Sequence, residues 1–193
     1  MLHGYGSNEE DLFSFAPELP EDLHIFSLRA PHRLEPFGYA WYAIDFSASR
    51  GKWNDVDQAI ASRELVLETI DRAIEAYGLD PGRISLLGFS QGSILSYSLA
   101  LSYPSRIKSV IALSGYLDPA MLPSGMTNKD LGSLNLYASH GDSDMVIPVS
   151  WARNTSEFLK ELGLEHRYEE YPVGHGVCPE NLESFREWIH GRY

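Results

Sequence analysis

Cys178 is the only cysteine of this chain, so no disulfide can form within it, and a reducing compartment is compatible with that usage. There is no C-x-x-C pair and no H-E-x-x-H, so neither a structural nor a catalytic metal is expected. Basic residues are scarce: 15 Lys+Arg stand against 27 Asp+Glu, a net charge of -12. That balance argues against nucleic acid and anionic membrane as main partners, since both demand basic patches. No apolar run approaches the ~18 residues of a membrane span, so no stable membrane insertion is expected. No basic stretch followed by an apolar core opens the chain, and a cytoplasmic protein is the expectation. Repeats and low-complexity tracts are also missing. What remains is 193 residues, 44% hydrophobic and 22% charged, the make-up of one globular domain over 1–193.

Along the chain, Ser7 to Glu10 resembles a capping box ahead of Leu12, Phe13 and Phe15, which predicts a short helix ended by Pro17 and Pro20. Residues 24–31, HIFSLRAP, read as a buried strand. The aromatic stretch HRLEPFGYAWYAIDF reads as a covering loop. From Asp55 to Tyr77 the apolar positions Val66, Ile70, Ala73, Ile74 and Tyr77 fall on one helical face, with Gly78 at the C′ position. Strands are then predicted at 84–90, 109–115, 134–141 and in HRYEEYP. Helices are predicted over QGSILSYSLALSYP and 149–163, and from Pro179 onward with Leu182, Phe185 and Ile189 on one face. The alternation implies an α/β fold, a mainly parallel sheet with helices on both faces. Ligands of such sheets bind at the carboxyl ends of the strands.

The chemistry-bearing residues follow strand ends. Gly88-Phe89-Ser90-Gln91-Gly92 is a G-x-S-x-G between a predicted strand and a predicted helix. A sharp corner there exposes the Ser90 hydroxyl as a nucleophile and turns the Gln91 N–H toward a developing oxyanion. A serine needs a base. His175, between Gly174 and Gly176, is the candidate. Its orienting acid lies in HGDSD, where Asp144 is preferred to Asp142, since Asp142 sits where a turn would use an Asx side chain for its own backbone. His140 reads as a hydrogen-bonded structural histidine and Cys178 as a small buried residue, although a metal ligand and a thiol nucleophile are the respective alternatives. A second oxyanion donor is required, and the loop HGYG supplies it as the Tyr5 N–H. Trp41 in the aromatic loop, with Leu117 and Met121 after the 109–115 strand, are candidate apolar walls for a substrate.

Taken in order, LHGYG, APH, GFSQG, ALSG, HGDSD and GHG resemble the phospholipase/carboxylesterase family of α/β-hydrolases, the group that includes acyl-protein thioesterases. The resemblance covers nearly the whole chain. It implies the α/β-hydrolase fold and a serine hydrolase of carboxylic esters or thioesters that needs no cofactor. It implies Ser90 as nucleophile, Asp144 as acid, His175 as base, and Tyr5 and Gln91 as oxyanion donors. Its substrates would be small-molecule or lipid-like acyl esters or thioesters, and a homodimer is compatible with the sequence. Family members often carry proline after the acid, where this chain has Met145. They also carry one or more strands ahead of LHG. The expectation is therefore of an N-terminally shortened chain whose oxyanion loop lacks rigid support. Two other functions compete. A peptidase on this fold usually adds a domain that screens substrate, which this length does not hold. A catalytically silent binding module would be signalled by loss of a triad residue, and all three are present.

Overall fold

The computed structural model describes residues 1–45, 53–123 and 131–193, with the backbone alone of Trp53. Phe46 of the predicted covering loop, and part of the loop after Gly115, lie outside the described residues. The described part of the covering segment forms two small antiparallel hairpins: β1 (His32–Arg33) with β2 (Tyr39–Ala40), and β3 (Ile44–Asp45) with β4 (Trp53–Asn54). Then comes α1 (Val56–Tyr77). Asp55 caps it by accepting the Gln58 N–H, and Gly78 ends it at φ 64°, a left-handed turn that costs glycine nothing sterically. Beyond it, β5 (Ser85–Phe89), α2 (Gln91–Ser102), β6 (Ser109–Leu113), β7 (Asn135–Gly141), α3 (Val149–Glu161), β8 (His166–Tyr171) and α4 (Pro179–His190) alternate as expected.

Strands β5, β6, β7 and β8 pair in parallel in that order. Their near-continuous apolar runs make sense because both faces are covered. Alternate residues Leu86, Val110, Ala112, Leu136 and Ala138 join the core beneath α1, α2 and α3. Leu87, Ile111, Leu113 and Tyr137 point the other way, into a second core with Phe185, Trp188 and Ile189 of α4. Every residue of α2 is buried, which allows this helix to be apolar on all sides, and it holds the start of the helix rigidly behind the β5 corner.

Two predicted elements differ. Leu12–Glu18 is a 3-10 helix, not an α-helix opened by a capping box. Asn8 Oδ1 takes the Glu10 N–H at 2.8 Å and Ser7 Oγ donates to Asp11, so the Glu10 N–H that a capping box would give to Ser7 is bonded elsewhere. The 24–31 segment forms no ladder, only a parallel bridge from Leu28 to Leu2. Its sheet neighbour is the dipeptide Met1–Leu2. That dipeptide corrects the expectation of an unsupported oxyanion loop. Leu2 N–H donates to Leu87 O at 2.9 Å and Leu2 O accepts from Phe89 N at 3.1 Å, while Met1 O accepts from Leu28 N at 3.1 Å. The loop thus leaves a sheet position bonded on both sides. Met1 N donates to Phe26 O at 2.6 Å. Below it an apolar cavity of about 290 Å³, lined by residues such as Ile25, Val66, Ile70 and Leu86, opens at the amino end of β5, away from the strand ends where ligands bind.

At the far edge, Glu169 of β8 ties that strand to its neighbours. It accepts from Tyr137 Oη at 2.8 Å, from Tyr171 Oη and Ser184 Oγ, and from Arg167 Nε at 2.8 Å. Burial alone would push the carboxyl up, but the bonds from Ser184, Tyr171, Tyr137 and Arg167 outweigh it and hold the group at about 2. A carboxyl depressed in the folded state stabilises the fold above its unfolded value and loses that contribution as pH falls toward its folded value. Glu169→Gln should therefore lower stability at pH 7 by roughly 1–2 kcal/mol, since solvent screens a half-buried group. Its deficit should shrink as pH drops below about 4.5. Urea midpoints for both proteins at pH 7 and pH 3 check this, and an equal deficit at the two pH values would refute it.

Candidate active site

The end of β5 turns into α2 within one residue. Ser90 sits at φ 53°, ψ -118°, a strained conformation costing on the order of 1–3 kcal/mol. Crowding on both sides explains the flanking glycines. A Cβ at Gly88 would lie 2.5 Å from Gly92 O, and one at Gly92 would lie 1.9 Å from Leu2 O. The corner is fixed by Ser90 N–H to Leu113 O at 2.9 Å and by Ile94 N–H to Ser90 O at 3.1 Å. Ser90 stands at the head of α2 with 8% of its surface exposed, and the Gln91 N–H lies in the first turn of that helix, where donors lack intrahelical partners.

His175 arrives from the loop after β8. Its Nε2 lies 2.9 Å from Ser90 Oγ, and its Nδ1 lies 2.6 Å from Asp144 Oδ2. The acceptor character of the carboxylate places the proton on Nδ1, leaving Nε2 to accept from the serine hydroxyl. The imidazole packs on the Phe89 ring, centroids 5.0 Å apart. Ser114, itself at φ 50°, directs its hydroxyl at Gly176 O, 3.4 Å away on the same loop.

Asp144 leaves the end of β7 fully buried. Its Oδ1 accepts the N–H groups of Val146 at 2.8 Å and Ile147 at 2.9 Å. Burial would raise its pKa, but the bonds from His175, Ile147 and Val146 outweigh it and hold the carboxyl below its ordinary value. Asp142 is exposed and its side chain accepts the neighbouring Ser143 hydroxyl at 2.7 Å, while it is Asp144 that meets the histidine. His140 touches this carboxylate too. Its Nε2 is 2.8 Å from Ile147 O and 3.2 Å from Asp144 Oδ2, so it braces the acid's turn. Cys178, partly buried, precedes the first turn of α4.

The HGYG loop lies over the nucleophile, since a Cβ at Gly4 would stand 3.3 Å from Ser90 Cβ. The loop is laced to the hairpins by Gly6 N–H to Tyr39 O at 2.9 Å and Tyr39 N–H to Ser7 O at 2.8 Å. Gly4, which precedes Tyr5, and Gln91 therefore border Ser90. The three apolar wall residues do not form an open wall. Trp41 and Met121 are fully buried, Leu117 nearly so, and all three belong to the main core. Their bulk is used for packing: Trp41 fills the space between the HGYG loop and α2, donating Nε1–H to His3 O at 2.9 Å. Among the described residues, Tyr5 of the HGYG loop and Met145 and Val146 after Asp144 are exposed apolar side chains.

Two contributors were not legible in the sequence. The buried Gln91 side chain clamps the covering loop, accepting from Trp41 N–H at 2.7 Å and donating to Tyr42 O at 2.7 Å. The His3 ring bridges Gly4 and Ala30. Ala30, Trp41 and Tyr42 lie 27 to 50 residues from the side chains that bind them, and no local pattern announces them. Among the described residues no group of His, Cys, Asp and Glu is arranged to hold a metal ion, and no helix is long and apolar enough to cross a membrane.

Comparison with known proteins gives the same frame. A family model described as Phospholipase/Carboxylesterase matches residues 1–191. Acyl-protein thioesterase 1 of Neurospora crassa is 29% identical over 161 residues, which cover 80% of this chain and 64% of the relative. Acyl-protein thioesterase 1 homolog 1 of Dictyostelium discoideum is 30% identical over 153 residues, 78% of this chain and 66% of the relative. The chain thus spans just under two thirds of the length of either thioesterase. The crystal structure of a Bacillus cereus carboxylesterase superposes with a TM-score of 0.85 at 20% identity, covering 100% of this chain and 86% of the other, a likeness of fold.

Proposed function

The chain belongs to the phospholipase/carboxylesterase family of α/β-hydrolases, and from that membership we propose that it hydrolyses carboxylic esters or thioesters of short-to-medium acyl chains through an acyl-enzyme on Ser90. The observation that carries this reading is the unbroken line of hydrogen bonds from Asp144 through His175 to the strained Ser90. His175 Nε2 takes the Ser90 proton as Oγ bonds to the acyl carbon, and the carbonyl π electrons move to its oxygen. The Tyr5 and Gln91 N–H groups face that oxyanion. As it collapses, the bond to the alcohol or thiol breaks, and the imidazolium protonates the departing group. Water, deprotonated by the same nitrogen, then releases the acid and restores Ser90. Asp144 keeps the proton on Nδ1 and stabilises the imidazolium throughout. No step calls for a cofactor.

The acyl chain would lie across an apolar rim to which the exposed Tyr5, in the HGYG loop, and the exposed Met145 and Val146, just after Asp144, would contribute. Each buried methylene contributes about 0.8 kcal/mol at most, or up to about fourfold in rate constant. Thus kcat/KM for p-nitrophenyl esters should rise from acetate through butyrate and hexanoate until the rim ends. A butyryl thioester, followed by trapping the freed thiol, should also turn over. A flat chain-length profile would remove the acyl rim, and no turnover of any ester or thioester would remove the function. Trp41→Ala, by contrast, should mainly lower stability, by about 3–5 kcal/mol for an emptied core site.

A further inference from the structure

We propose that His3 is a positioning residue of this site: its imidazole fixes the Gly4–Tyr5 peptide so that the Tyr5 N–H points at the carbonyl oxygen of a substrate held at Ser90. The inference rests on the hydrolase reading above and adds a determinant to it.

His3 is buried, with 1% of its surface exposed, and both ring nitrogens are used. Nδ1 lies 2.8 Å from Gly4 O, an atom that can only accept, so Nδ1 carries the hydrogen. Nε2 receives the Ala30 N–H at 3.1 Å, so it is the lone-pair nitrogen. One neutral tautomer satisfies both bonds, and protonation would set two N–H groups face to face. Trp41 holds the residue from the side. Its ring centroid is 5.5 Å from the imidazole, and its Nε1–H reaches His3 O.

The consequence follows from peptide geometry. The Gly4 carbonyl and the Tyr5 N–H belong to one planar trans unit and point in opposite directions. With Gly4 O drawn to the imidazole, the Tyr5 N–H is aimed the other way. Ser7 N–H also reaches Gly4 O, at 3.3 Å, a longer bond that closes the turn. Glycine at position 4 imposes no steric preference of its own on this peptide, and a Cβ there would crowd the Phe89 ring at 3.2 Å and Ser90 Cβ at 3.3 Å. The ring of His3 supplies the missing restraint. A flipped peptide would present an oxygen, not a donor, to the oxyanion.

The two amide replacements separate the two ring nitrogens. In His3→Asn the side-chain NH2 can take the place of Nδ1 and donate to Gly4 O, while the bond to Ala30 is lost. In His3→Gln the longer amide can take the place of Nε2 and accept from Ala30, while Gly4 O is released. With p-nitrophenyl butyrate, His3→Gln should lose about 100-fold in kcat, the scale of one oxyanion donor. KM should change little, and His3→Asn should stay within about tenfold of wild type. Thermal midpoints should fall similarly in both. Equal losses of kcat in the two variants, or losses that follow the midpoints, would overturn the role of His3 while an active wild type upholds the hydrolase reading. A wild type inactive on every ester would overturn both. A third measurement needs no variant: nitrogen-15 NMR of the histidine-labelled protein at pH 7 should show His3 protonated on Nδ1 alone, and a proton on Nε2 would overturn the proposal.

Discussion

Ser90→Ala should reduce ester hydrolysis by roughly 10⁵–10⁶-fold, the scale seen when a serine nucleophile is removed. The atom deleted is the one that forms the acyl bond, and no other hydroxyl is bonded to His175 Nε2 among the described residues. The fold should barely register the change. The backbone strain at φ 53° is the same for alanine as for serine, and the Ser90 N–H and carbonyl bonds to Leu113 and Ile94 do not involve the side chain. The hydroxyl itself makes one partly buried hydrogen bond, worth about 1 kcal/mol. Steady-state kinetics with p-nitrophenyl butyrate, alongside thermal denaturation, checks both halves. Turnover within twofold of wild type would remove Ser90 from the mechanism.

Asp144→Asn is the second large effect, expected at roughly 10⁴-fold in kcat, with Asp142→Asn within a fewfold of wild type. The reason is orientational. The N–H groups of Val146 and Ile147 both point at Oδ1, so the new amide must keep its oxygen there. Its NH2 then falls where Oδ2 now accepts from His175 Nδ1. Donor meets donor unless His175 moves its proton to Nε2, and in that tautomer it cannot take the Ser90 proton. His140 Nε2–H, 3.2 Å from the same oxygen, adds to the mismatch. The exposed Asp142 has no bond to the imidazole. A kinetic ranking with Asp142→Asn the more damaging would move the acid.

The elements that the sequence made plain are those whose signals are local. Asp55 and Gly78 bracket α1 because a cap and a left-handed glycine act within a turn of the helix. The β5 to β8 runs are legible because both faces of the sheet are buried, so the whole run is apolar. Segment 24–31 misled because it carries the same apolar signal, while strand formation depends on a ladder, and among the described residues it makes a single bridge, Leu28 to Leu2. Ser90, Asp144 and His175 stood out because each ends a strand and their types and order fit one chemistry, although 85 residues separate Ser90 from His175. Trp41, Leu117 and Met121 could not be sorted between packing and binding, since a large apolar side chain serves either and only the fold decides which is buried. The supporting bonds of His3, His140 and Gln91 depend on where ring and amide atoms fall in space.

The most direct measurement is the mass of the intact protein after exposure to a fluorophosphonate probe, which reacts with a serine only where a base and an oxyanion site activate it. The account predicts a single adduct on the wild-type chain, mapped by fragmentation to the peptide containing Ser90, and no adduct on Ser90→Ala. An unmodified wild-type protein, or full labelling that persists in Ser90→Ala, would contradict it.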